Sequence, residues 1–461
     1  MSRIYLSAAH KSSGKTTVSI GLCAALKARG YRVQPFKKGP DYIDPQWLAR
    51  ASGQPCYNLD YNTMTPAEID VLWAEKSSGS NLSLLEGNKG LYDGVDPLGS
   101  DSNAALAKQL GSPVLLVIDV EGITRGVAPL LMGYQVFDAD ITIAAVILNK
   151  VAGERHEVKL RAAIQEYTDI PVLGAIRRNS ELVIDERHLG LVPGNEHHAA
   201  AQKIRIIQQQ LEQQVDIDQL LASFAPQQIE ARPATLSISE KTAVRIGIAQ
   251  DAAFGFYYPD DLQQFARYGA ELVSVSLLEE RVLPEIDGLF IGGGFPETQM
   301  RQLSENESMR KQVRSAVEAG MPVYAECGGL MYLSRQIGWQ DEVFPMAGAL
   351  PADVIMHQRP QGRGYVRLQE TGHGPWPIRG AGAEIPAHEF HHSSLENLGD
   401  SVEYAYEVTR GQGIDGKYDG MIYKNTLASY AHLRSSRGSP WVKRFVDFVR
   451  ARKTKIQQET T

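Results

Sequence analysis

Cysteine is scarce: Cys23, Cys56 and Cys327 are the only three in 461 residues. So odd and sparse a set builds no disulfide framework, and the spacings exclude a CxxC metal site. Long apolar runs are missing too; none approaches the ~18 residues of a membrane span. There is no positive excess. Lys plus Arg number 47 against 54 for Asp plus Glu, a net charge of −7. That speaks against a nucleic-acid binder, whose footprint is basic. Residues 1–7 run straight into polar His10-Lys11, unlike the apolar core of a signal peptide. A cytoplasmic protein with neither membrane nor nucleic-acid partner is expected.

What is present is ordinary globular composition, 43% hydrophobic and 22% charged, at a length that suits about three domains or two large ones. Residues 4–8, 82–85, 113–119 and 141–148 are apolar runs of the kind buried on both faces of a sheet, and 31–35 reads as a further strand. Helical stretches separate them; the first, 16–29, stops at Gly30. This alternation predicts an α/β fold with an open, mainly parallel sheet. Near residue 200 the texture changes. Residues 199–214 are Gln-rich and helical, and the sharpest break lies between 224 and 243. A second βα series then starts, with strands expected at 244–249, 271–275, 288–291 and 322–324. The expected division is a first domain over 1–200, a linker over 201–243, a second domain over 244–450 and a frayed tail over 451–461.

The first strand runs into Ser12-Ser13-Gly14-Lys15-Thr16-Thr17 and then a helix. Strand, Gly-Lys-Thr loop and helix together make a phosphate cradle: backbone N–H groups face the anion, Lys15 adds charge and the Thr16 hydroxyl suits Mg²⁺. Ser12 to Thr17 are therefore the expected nucleotide-binding residues, although Ala9 stands where the usual pattern has its first Gly. Next comes Phe36-Lys37-Lys38-Gly39-Pro40-Asp41-Tyr42-Ile43-Asp44. It reads either as a solvated turn or as a loop in which Lys37 neutralises an anion and Asp41 or Asp44 helps hold Mg²⁺. A buried strand then delivers Glu86 to its C-terminal end, ahead of Gly87-Asn88-Lys89-Gly90-Leu91-Tyr92-Asp93-Gly94. Ligands bind at that edge of open α/β sheets, so Glu86 is a further Mg²⁺ candidate. Asp119 ends the next strand and reads equally as a metal ligand or a turn residue.

In the second half, Val323-Tyr324-Ala325-Glu326-Cys327-Gly328-Gly329 is a strand, a sharp turn and a helix start. This is a nucleophile elbow with Cys in place of Ser, and the helix N-terminus beyond it is expected to lower the thiol pKa. Gly292-Gly293-Gly294 ends another strand. The N–H groups of Gly293 and Gly294, with that of Gly328, suit an oxyanion hole. A thiol nucleophile needs a base; His388, His391, His392 and His432 are the candidates.

Taken together, these collinear segments resemble the cobyrinic acid a,c-diamide synthase family along nearly the whole chain. Gly39–Asp44, Glu86–Gly94, Glu186-Arg187-His188-Leu189-Gly190-Leu191, Gly292–Glu297, Ala325–Gly329 and Ser429-Tyr430-Ala431-His432 carry the likeness. The resemblance implies a dethiobiotin-synthetase-like P-loop domain fused to a class I glutamine amidotransferase domain. It implies Cys327 as glutamine nucleophile and His432 as its general base. It further implies ATP, Mg²⁺ and L-glutamine as co-reactants and a modified tetrapyrrole as substrate, whose a and c acetates become amides through an acyl phosphate. Lys37, Asp41, Tyr42, Tyr92 and Asp93 are expected to bind substrate, and Thr16, Asp41 and Glu86 to hold the metal. A homodimer is compatible with this reading.

The chain departs from the family pattern at Ala9, at Asn88-Lys89, at Trp47-Leu48 where a His is usual, and at His432-Leu433-Arg434 where His-Leu-His is usual. These departures are similar to the branch that amidates sirohaem, the alternative substrate, with Lys11 and Lys89 either reading a carboxylate or simply solvated. A partitioning ATPase would need no Cys–His pair, a regulatory pseudoenzyme would have lost it, and cobyric acid synthase fits the Asp41–Asp44 and Glu86–Gly94 segments less well.

Overall fold

The apolar N-terminal run forms β1 (Ser2–Ala8), the middle strand of a seven-stranded sheet. In this computed structural model, residues 1–184, 186–187, 190–191, 200–226, 243–376, 384–399 and 401–460 are described. They fall into two units, Met1–Tyr61 with Thr65–Ala234, and Asn62–Met64 with Thr235–Thr461. His188 and Leu189 of the resemblance motif lie outside the described residues, as does 227–242.

In the first unit, β2 (Val33–Lys38), β3 (Tyr57–Leu59), β4 (Leu82–Glu86), β5 (Val114–Asp119), β6 (Ile143–Val151) and β7 (Val172–Arg177) join β1. The order is β3-β2-β4-β1-β5-β6-β7, and every pairing is parallel. The helices include α1 (Lys15–Ala28), α2 (Ile43–Ser52) and α3 (Val127–Phe137). All strand ends that carry candidate residues therefore open on one edge.

Two sequence expectations change here. The second strand runs three residues further than 31–35 and takes Lys37 and Lys38 into the sheet, both buried. The solvated-turn reading of these lysines fails because carboxylates receive the Lys37 ammonium. Second, residues 200–223 are not linker. They form α4 (Ala200–Gln214) and α5 (Ile217–Ser223). Ile204, Ile207 and Leu211 recur at helical spacing and join the core with Leu22 and Leu26. The fit on α1 is close: a Cβ at Gly21 would lie 2.9 Å from Leu211 Cδ1.

In the second unit, β8 (Val244–Ala249), β9 (Ala270–Val275), β10 (Gly288–Ile291) and β11 (Val323–Glu326) repeat the parallel theme. Antiparallel strands extend the sheet: β12 (Gly362–Glu370), β13 (Glu384–His391), β14 (Glu403–Arg410) and β15 (Tyr418–Tyr423). The chain returns to β11 in β16 (Thr426–Ser429) and ends the sheet in β17 (His432–Leu433). The order is β9-β8-β10-β11-β16-β15-β14-β12-β13-β17. The βα pattern gives no sign of this antiparallel half. β11 leads into α6 (Gly328–Leu333). The last helix, α7 (Trp441–Thr460), runs through the expected frayed tail. Trp441, Phe445 and Val449 bury its first turns, and Lys453 Nζ meets Asp287 Oδ2 at 2.9 Å.

Candidate functional site

The phosphate loop is shaped by close backbone approach. Gly14 caps α1 at φ 90°, and a Cβ there would sit 2.1 Å from Asn149 Nδ2; only glycine fits both demands. Asn149 Nδ2 donates to the Ser13 carbonyl at 2.9 Å, and Ser13 Oγ donates to the His10 carbonyl at 2.8 Å. Ser12 is exposed in the left-handed region at φ 65°. Ala9 needs no positive φ. Its N–H donates to the Val117 carbonyl at 3.2 Å and its carbonyl accepts from Tyr134 Oη at 2.5 Å. The missing glycine thus leaves the loop intact. Lys15 is buried, and burial lowers its pKa to about 8 against the opposing pull of Glu86. Thr16 and Thr17 follow in the first helical turn, half-buried.

Beside the loop lies an acid cluster. Thr16 Oγ1 donates to Glu86 Oε1 at 2.9 Å and reaches Asp44 Oδ2 at 3.2 Å. Lys37 Nζ bonds Asp44 and also lies 2.6 Å from Glu86 Oε1. Burial by itself would lower Lys37, but Asp44 and Glu86 outweigh it and hold the ammonium well above its ordinary range. Burial raises Glu86, with Lys37 opposing. Asp41 does a different job. Its Oδ1 accepts from the Ile43 and Asp44 N–H groups at 2.9 and 3.1 Å, starting α2, while its Oδ2 stays 3.6 Å from Lys37. Tyr42 sits buried at that helix cap. Asp44, rather than Asp41, therefore joins Thr16 and Glu86.

This set offers hard oxygen donors, and Glu86 Oε2 is buried without a hydrogen-bond partner. Among the described residues no three His, Cys, Asp or Glu side chains gather as a metal cage. Mg²⁺ keeps waters and phosphate oxygens among its ligands, and one hydroxyl with two carboxylates is a donor set of the kind it takes. Asp119 is taken elsewhere: it accepts from Lys150 Nζ at 2.7 Å and from the Glu121 N–H at 3.0 Å.

The glycine loop after β4 closes onto β1. Leu91 N–H donates to the Ala8 carbonyl at 2.9 Å, and a Cβ at Gly90 would lie 2.7 Å from the Ala9 carbonyl oxygen. Tyr92 Oη donates to the Tyr134 carbonyl at 2.5 Å, and Asp93 Oδ2 accepts from the Gly90 N–H at 3.1 Å. Lys11 and Lys89 are exposed.

In the second unit the elbow is strained as its role requires. Cys327 has φ 47° and ψ −99°, outside the ordinary range for a residue with a Cβ. Its N–H donates to the Ser429 carbonyl at 2.7 Å. Gly329 is forced: a Cβ would lie 2.2 Å from the Ile291 carbonyl oxygen. A Cβ at Gly328 would lie 3.1 Å from Gly294 N, so these two predicted oxyanion residues are neighbours. Gly293 faces the base, since a Cβ there would lie 2.6 Å from His432 Cε1. The expectation of a lowered thiol pKa is overturned. Burial first, and then the charge of Glu297, push Cys327 up, and the opposing Gly328 N–H does not offset them. The resting thiol is neutral and needs a base.

Two of the four histidines face a carboxylate, and His432 is the one within hydrogen-bond distance: its Nδ1 lies 3.2 Å from Glu326 Oε2, against 3.8 Å between His391 Nε2 and Glu389 Oε2. Glu326 is itself held, its Oε1 accepting from Tyr324 Oη at 2.6 Å and from the Leu433 N–H at 3.0 Å. The His388 ring stacks on His432 at 4.9 Å, and burial together with His432 and Arg434 keeps it well below the usual histidine range. His391 stacks on Tyr430 at 3.8 Å with Nδ1 on the Ser393 carbonyl, and His392 Nδ1 meets the His357 carbonyl. Arg434, the departure from His-Leu-His, is buried with Asp260 at 2.7 Å. Nothing local in the sequence marks Glu326 for its place beside His432 beyond strand parity, which puts it on one face with Tyr324.

Residues 8–192 match the CobQ/CobB/MinD/ParA nucleotide binding domain, and residues 245–439 match the CobB/CobQ-like glutamine amidotransferase domain. A protein of Magnetococcus marinus named cobyrinate a,c-diamide synthase is 47% identical, over 98% of this chain and 97% of its own. Proteins of the same name from Methanosarcina acetivorans and Archaeoglobus fulgidus are 40% and 37% identical, covering 94% and 96% of this chain and 92% and 96% of theirs. No helix among the described residues is long and apolar enough to cross a membrane. With a phosphate loop at one sheet edge, a cysteine elbow in a second unit and such similarity from end to end, the chain belongs to the cobyrinate a,c-diamide synthase family.

Proposed function

We propose that this protein converts cobyrinate to its a,c-diamide, with ATP activating each carboxylate and glutamine supplying the nitrogen. The observation that carries this reading is the end-to-end similarity to synthases of that name in a chain holding both a Gly-Lys-Thr-Thr cradle and a Cys-His pair.

In the first unit, a substrate acetate oxygen attacks the γ-phosphorus of ATP and ADP leaves. Lys15 and the loop N–H groups hold the phosphates as negative charge shifts between them. Thr16, Asp44 and Glu86 would hold Mg²⁺, which supplies charge neutralisation during that transfer. Lys37 keeps the acid cluster from repelling the nucleotide. Tyr92, Asp93, Asp41 and Tyr42 line the neighbouring loops assigned to the macrocycle. In the second unit, His432 takes the Cys327 proton and the thiolate attacks the glutamine amide. The Gly294 and Gly328 N–H groups receive the oxyanion, ammonia leaves, and water frees glutamate from the thioester. Ammonia then displaces phosphate from the acyl phosphate to give the amide.

The test is mass spectrometry of cobyrinic acid and sirohaem incubated side by side with ATP, Mg²⁺ and glutamine. OH-to-NH₂ exchange at both the a and c acetates of cobyrinic acid, absent for sirohaem, is the expected result. Cys327→Ala should lose the glutamine-dependent reaction and keep the ammonia-dependent one. Turnover of sirohaem alone would overturn the substrate assignment.

A further inference from the structure

We infer that Glu326, the residue immediately before the nucleophile, is the positioning carboxylate that completes the Cys327–His432 pair. Glutamine hydrolysis by a thiol needs three things: the nucleophile, a base for its proton, and a group that fixes the base in the right tautomer. The chain offers no carboxylate beside His432 in sequence; Leu433 and Arg434 follow it, and Arg434 is committed to Asp260.

The fold supplies one from another strand. β11 pairs in parallel with β16, with Glu326 opposite Ser429. Three residues beyond Ser429 the chain reaches His432, and its Nδ1 meets Glu326 Oε2 at 3.2 Å. Both side chains are about 3% exposed, so the carboxylate is shielded from competing water. Its orientation is set independently of the histidine. The Oε1 atom is pinned by Tyr324 Oη and the Leu433 N–H, which leaves Oε2 for the imidazole. An anion in that place accepts from Nδ1–H, so Nε2 is the proton-accepting nitrogen. It also stabilises the imidazolium formed when Cys327 loses its proton. The demand for such help is high, because burial holds the thiol in its neutral form.

The local geometry couples nucleophile and base in one device. Cys327 is held at φ 47° by its N–H on the Ser429 carbonyl, and Glu326 is one peptide unit away. A shift of the elbow would move the nucleophile and the carboxylate together. The inference rests on Cys327 and His432 acting as nucleophile and base.

Glu326→Gln keeps the shape and an acceptor for Tyr324 and Leu433, but presents an N–H₂ or a weaker acceptor to His432. Its glutaminase kcat should fall by roughly 10²- to 10⁴-fold, the contribution of a positioned base, with the glutamine KM unchanged and ammonia-dependent amidation retained. Glu326→Asp, which keeps the charge, should recover part of that loss. Wild-type kcat in Glu326→Gln overturns the inference. Should the variant lose ammonia-dependent activity as well, the wild-type enzyme decides. The ¹⁵N shifts of His432, assigned by their disappearance in His432→Asn, should report the Nδ1–H tautomer; the Nε2–H tautomer overturns the inference. Cys327→Ala separates the two readings: if it still hydrolyses glutamine, the assignment of nucleophile fails, whatever Glu326 does.

Discussion

Gly293→Ala is a one-methyl perturbation aimed at the base rather than the nucleophile. The added Cβ would lie 2.6 Å from His432 Cε1 and 3.3 Å from the Phe256 side chain. Carbon atoms settle at about 3.5–4.0 Å, so the imidazole must retreat by roughly 1 Å. It has little room: the His388 ring stacks on it at 4.9 Å, and its Nδ1 is held by Glu326 at 3.2 Å. A misplacement of about 1 Å costs on the order of 10² in rate, or about 2.7 kcal/mol of transition-state stabilisation. Glutamate release from glutamine should fall by that factor in Gly293→Ala, while amidation driven by ammonium salts proceeds at the wild-type rate. Gly133→Ala, where a methyl meets nothing within 4 Å, serves as the matched control and should leave both activities alone. Wild-type glutaminase activity in Gly293→Ala would refute the contact between glycine loop and base.

Lys15 has its pKa lowered to about 8 by burial, so in the free enzyme it sheds its proton near pH 8. The KM for ATP should rise above that pH, and ATP binding there should take up a proton, both measurable by calorimetry in buffers of different ionisation enthalpy; Lys15→Met should abolish the uptake. Asp419 accepts the N–H groups of Tyr430 and Ala431, just ahead of His432, yet burial raises it from 3.8 to about 6. A carboxyl raised on folding contributes stability that is full below about pH 4 and lost as pH rises through 6, on the order of 3 kcal/mol. Asp419→Asn should therefore flatten the fall of unfolding free energy between pH 4 and 6; an unchanged slope in denaturant titrations would count against it.

Much of the fold is legible in the chain because its signals are local. Four of the seven strands of the first sheet follow from apolar runs of about four to eight residues, and glycine and proline punctuate them. The antiparallel half of the second sheet is not legible in this way. β12 opens on Gly-Arg-Gly-Tyr and β13 carries Pro386, His388 and Glu389, so neither is a continuous apolar run. The Gln-rich helix α4 reads as linker because its apolar residues are few, but Ile204, Ile207 and Leu211 all lie where α1 needs cover.

By itself the sequence determined the phosphate loop, the cysteine elbow and the two βα series. Each depends on residues within a few positions of one another, where backbone sterics and glycine placement decide the conformation. The tertiary structure decided which charges meet. Thr16 and Glu86 are 70 residues apart, and Glu326 and His432 are 106 apart. No local rule says that Lys37 is enclosed by Asp44 and Glu86, that Asp41 caps a helix instead, or that Cys327 is pushed up. Protonation depends on burial and on partners brought from distant strands, and both exist only once the sheets have formed.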